Sequence, residues 1–148
     1  MLTAATPPTQ QFARHLHLRL IGQPIPKARP RVVRRDGQKP HSYTPDKTTA
    51  GTLAWQMLFK QSGALPLPPN RPLALRVLFV MTRPPSAPKK RTRPMVGSDI
   101  DNLLKLVTDA LQGLAFDNDS RIVTVTADKV YAVYPTEPHT WLGIDVID

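Results

Sequence analysis

The chain has 148 residues, with 20 Lys and Arg against 11 Asp and Glu, 17 prolines and no cysteine. A hydrophobic fraction of 41% argues for a folded core over wholesale disorder, and this length suits one domain that buries about 70% of its unfolded surface. The absence of cysteine excludes a disulfide framework, a thiolate zinc site and a cysteine nucleophile. No apolar run approaches the roughly 18 residues of a membrane span and no signal sequence is present, so a soluble, cytoplasmic protein is expected.

The net charge of +9 is unevenly spread. Residues 1–98 hold 17 Lys and Arg and two acids, Asp36 and Asp46; residues 99–148 hold three Lys and Arg and nine acids. The two parts carry about +15 and −6. A basic chain with its carboxylates gathered late suggests a metal site facing a polyanion, and nucleic acid is the obvious polyanion.

In chain order, residues 1–13 are polar and proline-containing and read as a flexible tail, leaving 14–148 as one domain. His15–Ile21 alternates, with Leu16, Leu18 and Leu20 opposite His17 and Arg19, and predicts a half-buried strand. Gly22–Pro45 reads as a Pro- and Arg-rich loop with a turn at Asp36–Gly37. Within it, proline spacing forces Pro24 to Arg31 into extended geometry, which puts Lys27, Arg29 and Arg31 on one side as a cationic comb for phosphates. A solvated basic loop explains the same residues equally well.

Asp46–Ser62 predicts a helix, with Leu53, Met57 and Leu58 at helical spacing and Trp55 and Phe59 widening the apolar surface. Leu73–Met81 is nearly all apolar and predicts a central strand covered on both faces. Residues 82–97 carry Arg83, Lys89, Lys90, Arg91 and Arg93 among four prolines and read as a mobile basic loop. Ile100, Leu103, Leu104, Val107 and Leu111 then trace one face of a helix, which Ser98 or Asp99 can cap and Gly113 can end. Two further strands are expected over 121–133 and 140–147, joined as a long hairpin. The pattern is an α+β (mixed α/β) domain with two helices against one small sheet of about four strands.

Chemistry concentrates in the run Asp99, Ile100, Asp101, Asn102, Leu103, Leu104, Lys105. With Ile100 in the core stripe, both flanking carboxylates project outward near the positive end of the helix dipole, and Lys105 shares the face of Asp101. Asp117 and Asp119 follow the helix, and a chain that doubles back would bring Asp119 to the first pair. Three oxygen ligands without Cys or clustered His suit Mg2+, with Mn2+ as substitute. Such an ion can acidify a water and neutralise charge at phosphorus during phosphodiester hydrolysis, with a lysine assisting. Taken singly, each feature has a plainer explanation. Asp99 is a helix cap, Asp101 and Lys105 form a surface ion pair, and 117–120 is an ordinary turn.

The residues Gly22–Arg31, Tyr43–Pro45, Ser98–Lys105, Asp109–Leu111, Asp117–Ile122 and Lys129 together resemble the RusA family of Holliday junction resolvases, which occur in phages, prophages and bacteria. The resemblance covers about residues 16–146. It implies a compact homodimer that binds four-way DNA junctions and resolves them by paired, symmetric, Mg2+-dependent nicks in recombination and repair. It implies metal-binding carboxylates at Asp99, Asp101 and Asp119, a catalytic lysine at Lys105, and DNA contacts from Lys129 and the segment with Lys27, Arg29 and Arg31. The loop lysines and arginines at 89, 90, 91 and 93 are further DNA-contact candidates. Ser98 before the first Asp and Asn118 before Asp119 depart from the common pattern and leave Asp117 as an alternative third ligand. A nuclease acting on flaps or forks and a non-catalytic nucleic-acid-binding module are the competing readings.

Overall fold

The computed structural model describes residues 9–29 and 31–148. Most of the expected tail therefore lies outside the described residues, as do Pro30 and the side chains of Arg31 and His41.

The elements in order are β1 (His15–Ile21), β2 (Arg31–Val33), β3 (His41–Tyr43), α1 (Asp46–Ser62), β4 (Leu73–Met81), α2 (Ile100–Leu111), β5 (Ile122–Tyr131) and β6 (His139–Val146), with a 3-10 turn at Asp119–Arg121. β1, β6, β4 and β5 form one mixed sheet in that order. Alternation decides which face of it is buried. Leu16 and Leu18 of β1, Leu73, Leu75, Val77 and Phe79 of β4, and Leu142, Ile144 and Val146 of β6 join both helices in a single apolar cluster. The fold is thus the expected α+β arrangement of two helices against a four-stranded sheet.

Two strand expectations change. β5 and β6 do not form a hairpin: β5 pairs with β4 in parallel, while β6 inserts antiparallel between β4 and β1. β6 buries alternate residues and suits an interior position, whereas β5 is exposed over Val123 to Thr126 and suits an edge. β4 is central, but its second face is not fully covered, since Arg76 is exposed there. Its guanidinium lies 5.5 Å from the ring centre of Trp141.

α1 turns a different side to the core than the leucine spacing suggests. Thr48, Gly51, Trp55 and Phe59 are buried, and Leu53 and Met57 are exposed. Gly51 lets α2 approach: a Cβ there would sit 3.2 Å from Leu106 Cδ1 and 3.3 Å from Ile25 Cβ. The large aromatics four residues apart bury more area than Leu53 and Met57 would, so they set the helix rotation. Gly22–Pro45 is also not all loop. β2 and β3 pair as a short antiparallel ribbon around the expected turn, where Gly37 has φ of 75°.

Leu103 is fully buried in α2, directly beneath the acidic run. Leu103→Ala should cost about 2–5 kcal/mol in urea unfolding with an unchanged m value. On the far side of the sheet, Asp145 binds His15 Nδ1 at 2.7 Å and Arg76 at 2.9 Å. The His15 hydrogen bond first, opposed by desolvation and aided by the Arg76 charge, holds the Asp145 carboxyl below its ordinary value near 3.8. A depressed folded pKa means the stabilisation is full above that ordinary value and is lost as pH falls through the folded one. Asp145→Asn should therefore flatten the loss of stability below about pH 4–5, measured as Tm against pH.

Candidate metal and nucleic-acid site

α2 docks through Leu103, Leu106, Val107, Ala110 and Leu111, which leaves Asp101 and Lys105 exposed on its outer side. Asp99 occupies the N-cap position with extended backbone (φ −69°, ψ 142°), yet its side chain makes no capping hydrogen bond. Among the described residues no ion pair joins Asp101 to Lys105 within 4.0 Å. Neither plain explanation of these residues is realised. Two carboxylates stand at the positive end of a helix without partners among the described residues, which is the arrangement a cation would complete.

The surroundings are basic and tied to the backbone. Lys129 Nζ, half-buried on β5, donates to Ser98 O at 2.9 Å and pins the chain where it enters the acidic run. Lys27 N donates to Asn102 O at 2.9 Å, and Lys27 Nζ pairs with Asp109 on the same helix. The expected comb is therefore changed. Lys27 clamps the extended segment to α2, Arg29 is exposed, and the Arg31 side chain lies outside the described residues.

Residues 82–97 contain no helix or strand and are held together internally. Arg83 donates to Arg91 O at 2.7 Å and also to Pro88 O, and stacks over Tyr131 at 5.4 Å. Tyr131 N donates to Thr92 O at 3.0 Å, and Arg93 pairs with Asp128 at 3.6 Å. Lys89 and Lys90 remain exposed without protein partners among the described residues, and Arg91 is half-buried. This loop follows the carboxyl end of β4 and ends at Asp99, so its free charges belong to the same end of the molecule as the carboxylate pair.

Asp119 is elsewhere. Its backbone N–H donates to Gln112 Oε1 at 2.9 Å, beside the carboxyl end of α2. α2 has 12 residues and is about 18 Å long at 1.5 Å per residue, and Asp99 and Asp101 lie at its opposite end. Among the described residues no three His, Asp or Glu side chains are close enough to hold a metal ion. The expectation that the chain doubles back to unite all three carboxylates fails within one chain. The reason is topological. β4 and β5 are parallel, so the helix connecting them must run from one end of the sheet to the other.

The structure also separates Asp117 from Asp119. Asp117 accepts from Arg121 Nε and Nη2 at 3.3 Å, and Arg121 reaches Asn70 Oδ1 at 2.9 Å. Chiefly through the Arg121 hydrogen bond, the Asp117 carboxyl lies below its ordinary value. Asp117 is thus engaged, while the Asp119 side chain accepts no such fork among the described residues. A cavity of about 440 Å³ with mainly apolar lining, between β1, residues 22–25 and α1, touches none of the acidic residues. The carboxylates instead lie on open surface, as a polymer substrate requires. Sequence reading passed over Arg34, Arg35 and Lys39, exposed at the tip of the β2–β3 ribbon, because strands of three residues give no periodic signal. No helix among the described residues is long and apolar enough to cross a membrane.

A basic α+β chain with partnerless carboxylates at a helix start, flanked by cationic loops, has the make-up of a protein that acts on nucleic acid. The profile of the family described as Endodeoxyribonuclease RusA matches residues 22–138, and the chain belongs to that family of nucleases. It is also similar to the uncharacterized protein YqaN of Bacillus subtilis (strain 168), 30% identical over 133 residues that cover 78% of this chain and 87% of that protein.

Lys129→Met should release Ser98. The amides of residues 99–102 should then exchange with solvent at least about tenfold faster, read by hydrogen–deuterium exchange, while Tm falls by only a few degrees.

Proposed function

We propose that the chain is a divalent-metal-dependent endodeoxyribonuclease that binds four-way DNA junctions as a homodimer and resolves them by paired nicks. The observation that carries this reading is the Asp99–Asp101 pair, which makes no side-chain cap and has no ion-pair partner among the described residues, at the end of the basic loop 82–97. Oxygen-only donors fit a hard cation such as Mg2+, which is held by one or two carboxylates and keeps several waters. When bound, the ion supplies a Lewis acid and a water of lowered pKa. Asp99 and Asp101 hold it, Lys105 places positive charge one helical turn away, and Lys129 fixes the backbone that carries Asp99. Lys89, Lys90, Arg91 and Arg29 meet DNA phosphates.

The third carboxylate, Asp119, comes from a second copy in this reading. The outer edge of β5 is exposed over Val123 to Thr126. Pairing that edge antiparallel with its twin about a dyad keeps both α2 helices on the same side. It also carries Asp119 of one protomer toward the Asp99 end of the other. A dyad further matches the approximate twofold symmetry of a four-way junction.

With Mg2+, the protein should nick a synthetic four-way junction in preference to duplex; flap or fork cleavage without junction cleavage would move the substrate assignment. Asp101→Asn should bind the junction and cut at least about a hundredfold more slowly, given the several kcal/mol a bound ion supplies. Cutting by that variant at the wild-type rate would sink the assignment and favour a non-catalytic binding module.

Asp101→Asn and Asp119→Asn protomers, each inactive alone, should recover single-strand nicking when mixed. The heterodimer then contains one composite site with both carboxylates intact. No recovery from demonstrated heterodimers would refute the shared site.

A further inference from the structure

We propose that the β2–β3 ribbon is a DNA-binding arm that lies along the duplex arms of the substrate, with Arg34, Arg35 and Lys39 at its tip on phosphates and groove edges. The inference rests on the nuclease reading above and adds a contact surface to it. A two-stranded ribbon of three residue pairs is at best marginally stable alone. Among the described residues neither strand makes more than weak contact with another helix or strand. Every residue from Arg34 to Pro40 is exposed, and Val32 on β2 is 69% exposed. Such a segment contributes little to the core, so its composition reflects what it meets outside.

That composition is cationic. Arg34, Arg35 and Lys39 stand against Asp36 alone, and among the described residues none of the three forms an ion pair. Arginine and lysine offer charge-assisted donors to phosphate, and a two-stranded ribbon has the width that the major groove of B-DNA admits.

The root of the arm is fixed beside the carboxylate pair. Just before β2, Lys27 N is bonded to Asn102 O in the first turn of α2, and Ala28 N to Thr48 Oγ1 in the first turn of α1. After β3 the chain enters α1 at Asp46. The arm therefore springs from the end of the molecule where both helices begin, as do Asp99 and Asp101. A duplex arm passing the acidic pair can lie on the ribbon as well, and the ribbon contacts regular duplex whatever the branch geometry.

The test is the binding of the full chain to a fluorescent four-way junction and to a linear duplex. It is carried out in EDTA between 50 and 200 mM NaCl, comparing wild type with Arg34→Ala/Arg35→Ala/Lys39→Ala. Three lost phosphate contacts should lower the slope of log K against log salt by about 2–3. Affinity for both DNAs should fall about tenfold or more at the low-salt end, with Tm unchanged. Equal slopes and affinities for variant and wild type overturn the arm, and so does a loss on the junction with none on the duplex. Failure of wild-type protein to bind either DNA overturns the nuclease reading itself and leaves the arm without a substrate.

Discussion

The burial of one face of α2 against the β4–β5 half of the sheet is the constraint from which the candidate site follows. Leu103, Leu106, Val107, Ala110 and Leu111 are all removed from water, and each large one contributes about 1.5–3 kcal/mol by transfer alone. That rigid seat fixes the rotation of the helix and hence the direction in which Asp101 and Lys105 point. It also fixes the helix start beneath the carboxyl end of β4, where the basic loop comes down to Asp99. Two carboxylates side by side at the surface repel one another, and the packing beneath them supplies the stability that such an arrangement uses.

The same seat keeps Asp119 away. A parallel β4–β5 pair demands a crossover, and the crossover here is α2 itself, so the residues on either side of it cannot meet. A site of three carboxylates must then be shared between copies or be served by two. The bare edge of β5 and the exposed polar side of α2 give a second copy a place to pair, which makes assembly and metal binding one problem in this reading. Where Asp117 closes a fork with Arg121, its carboxylate is already satisfied, and the choice between two neighbouring acids follows from partner availability.

Positive charge is likewise divided by tertiary context. Lys27, Arg83 and Arg93 look equivalent to Lys89 and Lys90 in a list of basic residues. In the structure the first three are spent on Asp109, on carbonyls and Tyr131, and on Asp128, and so hold loops in place. Among the described residues Lys89, Lys90, Arg29 and the ribbon tip have no ion-pair partner, which leaves them available to the polyanion of the proposed function. Counting cations along the chain overstates the binding surface, because a charge already paired adds little to steering or to counterion release.

Periodicity along the sequence determined much of this protein. β1, α1, β4 and α2 lie where alternation and helical spacing place them, and the acidic run falls at a helix start because Ile100 opens the apolar stripe. The nuclease family was legible in the acidic run with its basic flanks, and the lack of Cys and clustered His directs the proposed metal toward a hard cation. What required the folded structure was every relation between distant segments. Only pairing showed that β6 enters the sheet between β1 and β4, because alternation marks a strand without naming its neighbours. Only packing chose Trp55 and Phe59 over Leu53 and Met57 as the buried side of α1. And only the parallel crossover decided that Asp119 stands a helix length from Asp99 and Asp101, a distance that sequence spacing cannot express.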